Sequence, residues 1–170
     1  MAGQQFAYCR DVSGGVGKMG NKKLAGRVQR AFVRSLATEN IRVLITGVDK
    51  DKEKVDRLLK LTKTKPAVFI GKTDIMELAA LIKRCKVFVT PDSAPMHVAA
   101  AMRVPFISFF GPTSSLRHLP PAKEAIVLEK KLNCQPCYSP KCRIKTHACL
   151  REITPEDVAN RVKEILAKNP

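Results

Sequence analysis

Thr90-Pro91-Asp92-Ser93-Ala94-Pro95-Met96-His97-Val98-Ala99-Ala100-Ala101-Met102 is the stretch whose reading decides the fold. The residues leading into it, Lys86-Val87-Phe88-Val89-Thr90, form a short apolar run of the kind found in buried strands. Pro95 stands where prolines open helices, and Val98 to Met102 are small or apolar enough to continue one. The stretch therefore predicts a strand, a tight polar turn and a helix whose first turn packs against a sheet. The N–H groups left free in such a first turn, with the helix dipole behind them, make a natural anion pocket. Asp92, Ser93 and His97 are the polar groups placed to face it. The plainer alternative makes Ser93 an N-cap and His97 a hydrogen-bonded core histidine.

Outward from this stretch the same alternation repeats. Upstream, Phe6-Ala7-Tyr8-Cys9 predicts a first strand, followed by the glycine-rich Ser13-Gly14-Gly15-Val16-Gly17-Lys18-Met19-Gly20. Leu24, Val28, Ala31, Phe32 and Leu36 fall at helical spacing, which predicts an amphipathic helix over 22–36. Residues 41–47 predict a second strand, 52–61 a charged helix burying Val55, Leu58 and Leu59, and 67–70 a third strand. Asp74 and Glu77 form a capping-box pair for a helix over 75–84. Downstream, 105–110 and 125–128 predict two more strands, and Thr154 with Pro155 starts a last helix at 154–168.

Strands alternating with helices at this spacing predict a parallel, doubly wound, Rossmann-like α/β sheet. Residues 1–170 are expected to make a single domain of this kind, with a cysteine-rich segment at 134–149. Such sheets bind ligands beyond the carboxyl ends of their strands, where the winding reverses. The loops expected there are 13–20, 47–51, 71–74, 90–97 and 111–114, and a phosphorylated or nucleotide ligand suits their glycines, hydroxyls and helix starts.

A chain of 170 residues suits one domain with a proper core, or half of a two-domain protein. No apolar run reaches the roughly 20 residues needed to span a bilayer. The first residues, Met1-Ala2-Gly3-Gln4-Gln5, lack the layout of a signal peptide, so a cytoplasmic protein is expected. The net charge of +16 points to anionic partners: nucleic acid, anionic lipid or a phosphorylated substrate. Aromatic residues make up only 5%, with no Trp, which argues against a base-stacking surface for single strands. A solvated basic face is the plain alternative.

Gly15-Val16-Gly17-Lys18-Met19-Gly20 fits the glycine pattern of dinucleotide sites, but the acid that should close the second strand is missing there. Asp49, the nearest candidate, lies several residues too far on. Cys134-x2-Cys137-x4-Cys142-x6-Cys149 gathers four of the six cysteines into one short segment. In a reducing compartment a thiolate zinc site is the simplest occupant, with His147 able to replace one thiolate. Two disulfides or free thiols are the alternatives. Cys9 and Cys85 lie in or beside apolar strands and are expected in the core. Met19, Met76, Met96 and Met102 are expected to pack, and His118 to have no role. No nucleophile-base-acid order and no paired carboxylates suited to acid-base work are found in the chain.

Three motifs carry a family resemblance. Thr73-Asp74-Ile75-Met76-Glu77-Leu78-Ala79-Ala80-Leu81-Ile82, Asp92-Ser93-Ala94-Pro95-Met96-His97-Val98-Ala99-Ala100 and Phe109-Phe110-Gly111-Pro112-Thr113 resemble the carboxyl-terminal half of glycosyltransferase family 9. These are the ADP-heptose:lipopolysaccharide heptosyltransferases and their relatives. The resemblance covers residues 66–168, including the cysteine segment and Ile153-Thr154-Pro155-Glu156 after it. It implies the carboxyl-terminal half of a GT-B fold, in which two Rossmann-like domains face each other across a cleft. This half would hold the ADP-sugar donor. Asp92, Ser93, Ala94 and His97 would lie at the donor diphosphate and sugar, Thr73 near the nucleoside, and Gly111 to Thr113 along the cleft wall. Ser13 and Lys18 would stand for the family's hydroxyl and lysine at the diphosphate.

The resemblance further implies an inverting transfer to an anionic glycolipid acceptor, with no metal needed for catalysis and peripheral contact with the inner membrane face. Nucleic acid is set aside by it as a partner. The catalytic base would belong to an amino-terminal GT-B domain outside these residues. Alone, the chain is expected to bind donor and transfer nothing. The reading from another class is a non-catalytic basic module that binds nucleic acid or a protein partner.

Overall fold

The computed structural model of the chain describes residues 6–9, 42–60 and 66–168. Strands β1 (Phe6–Cys9) and β2 (Arg42–Gly47) are followed by a 3-10 turn at Asp49–Asp51, helix α1 (Lys52–Leu59) and strand β3 (Ala67–Ile70). Helix α2 (Ile75–Lys83), strand β4 (Val87–Pro91), helix α3 (Ala94–Ala101) and strand β5 (Phe106–Phe110) come next. Helix α4 (Ser115–His118), strand β6 (Ala125–Glu129), helix α5 (Ala148–Arg151) and helix α6 (Pro155–Lys168) complete the order. The six strands form one sheet in the order β3-β2-β1-β4-β5-β6. Every neighbouring pair is parallel. This is the doubly wound arrangement expected from the alternation. The glycine-rich 13–20 segment and the helix expected over 22–36 lie outside the described residues, as does the side chain of Cys9.

Side chains alternate across the sheet as a period of two requires. Val43, Ile45, Val87, Val89, Ile107 and Phe109 point to one face, where α1 contributes Val55 and α6 contributes Val158, Val162, Ile165 and Leu166. Leu44, Phe88, Phe106 and Phe110 point to the other, against Ile82 of α2 and Met96 and Ala99 of α3. Phe88, Phe106, Phe110 and Met96 are completely buried. Each such side chain contributes roughly 1.5–3 kcal/mol over its exposed state. The sheet is thus apolar on both sides, which is why its strands read as continuous apolar runs.

Strand β4 ends one residue beyond the expected limit. Pro91 pairs with Phe109, and the next amide, of Asp92, donates to the Phe109 carbonyl at 3.3 Å. A proline at the last strand position removes little from the ladder. The capping box at α2 is present as read: Asp74 Oδ1 accepts the Glu77 N–H at 2.8 Å, and Glu77 Oε2 accepts the Asp74 N–H at 2.9 Å. Met76 departs from expectation. It is 73% exposed, because α2 turns Leu78, Leu81 and Ile82 to the sheet and its first turn outward. Met96 is core as expected, Met102 is half-buried, and Met19 is outside the described residues.

Helix α6 starts with a reciprocal pair. Thr154 Oγ1 accepts the Asp157 N–H at 3.0 Å, and Asp157 Oδ2 accepts the Thr154 N–H at 2.9 Å. The Thr154 N–H is the main reason the Asp157 carboxyl titrates below its ordinary value. A lowered carboxyl stabilises the fold above its unfolded pKa and loses that contribution as pH falls through the folded one. Thr154→Ala is expected to cost about 1 kcal/mol in urea unfolding at neutral pH. Alanine keeps the N–H that holds the Asp157 carboxyl down, so most of the deficit should persist in acid, and only the smaller part owed to the Thr154 hydroxyl's effect on Asp157 should shrink.

Candidate functional site

The strand order reverses between β1 and β4. In doubly wound sheets a crevice opens beyond the carboxyl ends of the strands at such a reversal. The Asp92–His97 segment follows β4 directly and so stands at this crevice. Thr73 follows β3, three strands away, or about 14 Å at the usual strand spacing. Gly111 to Thr113 follow β5, one strand away on the other side. These expected site residues therefore share one edge of the sheet, spread over the length of an extended small molecule. Ser13 and Lys18 lie outside the described residues.

The turn between β4 and α3 is held by its own polar groups. The Thr90 and Ser93 hydroxyls are 3.1 Å apart, and the Pro91 carbonyl lies 3.1 Å from the first and 3.2 Å from the second. Ser93 occupies the N-cap position in an extended conformation, but its side chain caps no helix amide. The simple capping reading of Ser93 therefore does not describe it. Nor is His97 a core histidine: α3 buries Pro95, Met96 and Ala99, which leaves His97 and Ala94 exposed. Asp92 and Ser93 are half-buried. Helix α3 thus presents a first turn with no side-chain cap, a carboxylate before it and an imidazole on its outer face. Chemically this can receive an anionic group on backbone amides, with His97 as a donor at its margin.

Thr73 and Thr113 are half-buried, while Gly111 and Pro112 are buried. Gly71, in the loop that leads to Thr73, has φ of 64° and sends its N–H to the Gly47 carbonyl at 2.9 Å. That left-handed conformation favours glycine. Asp49, the acid considered for a dinucleotide ribose, packs its carboxylate against Gly71. His118, for which no role is expected, makes a ring contact. Its ring lies 5.9 Å from Tyr138, whose face the Arg117 guanidinium also approaches at 5.9 Å.

The sequence reading missed what the cysteine segment touches. Gln135 Nε2 donates to the Gly111 carbonyl at 2.6 Å, and the Tyr138 N–H donates to the Pro112 carbonyl at 2.8 Å. Leu150 fills the space where a side chain on Gly111 would go. No local pattern announces contacts between backbone carbonyls and a segment more than twenty residues on.

Cys85, Cys134, Cys137, Cys142 and Cys149 are free thiols. Among the described residues no three of His, Cys, Asp and Glu are grouped to hold a metal ion, so the expected zinc cage is not assembled. The Cys142 sulfur is engaged by its own loop. It accepts the His147 N–H at 3.4 Å, and this amide, with those of Ile144, Thr146 and Lys145, draws its pKa down. Burial, followed by the charges of the other three cysteines, pushes Cys149 up. Burial pushes Cys85 up to about 12. The buried Nδ1 of His147 has no hydrogen-bond partner. Iodoacetamide at neutral pH is accordingly expected to label Cys142 before Cys149, and Cys85 only on unfolding. A mass-spectrometric time course would read this order; early labelling of Cys85 would contradict its burial.

Comparison with known proteins places this architecture. The profile of "Glycosyltransferase family 9 (heptosyltransferase)" matches residues 21–148. Lipooligosaccharide heptosyltransferase 2 of Campylobacter jejuni is 33% identical over 129 residues, which is 73% of this chain and 40% of that protein. The structure of E. coli ADP-heptose LPS heptosyltransferase II superimposes with a TM-score of 0.78 at 24% identity, covering 99% of this chain and 48% of the other. TibC from enterotoxigenic E. coli, described as an iron-containing dodecameric glycosyltransferase, gives a TM-score of 0.71 at 15% identity over the whole chain and 47% of its own. The chain therefore spans less than half the length of these relatives. No helix among the described residues is long and apolar enough to cross a membrane.

Proposed function

The chain belongs to glycosyltransferase family 9, and we propose that it forms the donor-binding, carboxyl-terminal half of an inverting heptosyltransferase. Its ligand on this reading is an ADP-sugar, the acceptor an anionic glycolipid of the lipopolysaccharide type. The observation that carries the proposal is the first turn of α3 at the crevice, with no side-chain cap and with His97 exposed beside it. In a sugar transfer the bond from the anomeric carbon to the diphosphate breaks, and negative charge gathers on the departing ADP. Preorganised amides and cations aimed at that charge lower the barrier. Here α3 supplies amides and dipole, Asp92, Ser93 and Ala94 border the diphosphate and sugar, and Thr73 lies toward the nucleoside. Gly111 to Thr113 wall the cleft, and Ser13 and Lys18 complete the diphosphate contacts. A base on the amino-terminal GT-B domain takes the acceptor proton. The 170 residues alone bind donor and do not transfer it. The protein works in the cytoplasm, in peripheral contact with the inner membrane face, to which its charge of +16 is suited.

Calorimetry with ADP, UDP and a short DNA duplex tests this. Saturable ADP binding, weaker UDP binding and no DNA binding are expected. DNA binding that falls steeply with salt, with no nucleotide preference, would instead support the basic binding module. A structural metal in the cysteine segment is a second reading, favoured by one feature of the donor set. Cys134, Cys137, Cys142 and Cys149 stand in one segment with the unpartnered His147 Nδ1. Such an ion would order the segment and take no part in transfer. Elemental analysis of purified chain decides it: one zinc per molecule would mean that the segment closes on an ion its present geometry does not hold, and metal-free protein with all its thiols titratable would remove the idea.

A further inference from the structure

We propose that Gln135 is a positioning residue, and that the cysteine-bearing segment works through it as a strap on the wall of the donor cleft. This rests on the reading of the cleft given above. Strand β5 ends at Phe110, so the Gly111 and Pro112 carbonyls fall beyond its ladder. Both residues are buried, and buried carbonyls without partners are costly. The segment supplies both partners: the Gln135 side-chain amide for Gly111 at 2.6 Å and the Tyr138 N–H for Pro112 at 2.8 Å.

Gln135 is well placed to hold rather than merely touch. Its Oε1 accepts the Leu132 N–H at 3.2 Å, and its own N–H donates to the Leu132 carbonyl at 2.9 Å. Both ends of the side-chain amide are thus in use, so a rotation that releases Leu132 also withdraws the donor from Gly111. Leu150 closes the loop from a third direction, since a Cβ on Gly111 would come within 2.6 Å of its Cγ. Two contacts from the segment and one from Leu150 just beyond it therefore fix two successive residues, and Thr113 follows them in the chain. A loop pinned this way keeps its geometry without the ligand, which lowers the cost of ordering on binding.

The test uses the whole chain with Gln135→Met, which keeps bulk and loses both side-chain hydrogen bonds, and Gln135→Ala as a second variant. Amide exchange at Gly111, Thr113 and Ser114 should accelerate at least tenfold, while exchange in β4 and the buried part of β5 stays as in the parent. ADP affinity per folded molecule should fall by roughly three- to tenfold, beside a modest drop in the unfolding midpoint from the stranded Gly111 carbonyl. A purely structural glutamine would lower the midpoint and leave affinity per folded molecule alone. Unchanged exchange and affinity in both variants would overturn the strap. A parent chain with no affinity for ADP would instead overturn the cleft reading beneath it, a result seen before any variant is made.

Discussion

His97→Ala is expected to weaken ADP binding by about ten- to hundredfold, the 1.5–3 kcal/mol of a hydrogen bond to a charged group. It should do so without moving the unfolding midpoint. The second half of that expectation gives the first its meaning. His97 lies on the outer side of α3, whose buried residues are Pro95, Met96 and Ala99. Alanine there opens no cavity and is a better helix former than histidine. Loss of affinity with stability intact would therefore report a contact with the ligand. Ser93→Ala should behave differently. The Ser93 hydroxyl belongs to the turn, with Thr90 and the Pro91 carbonyl as neighbours, so its removal should lower stability and affinity together. Calorimetry beside thermal unfolding separates the two patterns. An unchanged affinity in His97→Ala would sink the proposed site.

The sheet was legible because its strands are buried on both faces. Val87-Phe88-Val89 and Phe106-Ile107-Ser108-Phe109-Phe110 carry no polar stripe, and such runs separated by amphipathic helices have few other solutions. The capping residues were legible too, since Asp74 with Glu77 and Thr154 with Pro155 act within one turn of chain. The site was legible to the level of its position. That α3 begins at the reversal of the sheet follows from alternation and from a proline at the helix start. What each side chain does there does not follow. Ser93 has the sequence signature of a cap, yet its hydroxyl is taken by a threonine three residues earlier, a choice made by turn geometry. Met76 has the composition of core, yet it falls on the outward side of its helix. The strap was invisible for a different reason. Its acceptors are backbone carbonyls, which every residue has, and its donor is a glutamine 24 residues from Gly111. The cysteines around that glutamine drew attention to metals, while the structural work there is done by the residues between them.

Phe110→Ala should be among the most damaging single changes in the described part of the chain, and its neighbour provides the control. Phe110 is fully buried among Phe88, Phe106, Met96 and Ala99, on the face covered by α3. Removing such a ring costs about 3–5 kcal/mol, transfer energy plus the cavity left behind. Against a total of roughly 5–15 kcal/mol for a typical domain, that brings the urea midpoint down by about a fifth or more. The cavity would lie beneath Met96, one residue from His97, and directly before Gly111. The first turn of α3 and the strapped loop would therefore both lose their backing, and ADP affinity should fall even among molecules that remain folded. Phe109 is also buried, but it faces the opposite side, with Val158, Val162 and Ile165 of α6. Phe109→Ala should cost comparable stability and leave ADP affinity per folded molecule near that of the parent chain. Urea unfolding and calorimetry at low temperature, where both variants are still largely folded, would read the contrast. If the two variants lose affinity equally, the binding residues do not depend on the α3 face of the sheet, and the crevice beside β4 is the wrong place for the nucleotide.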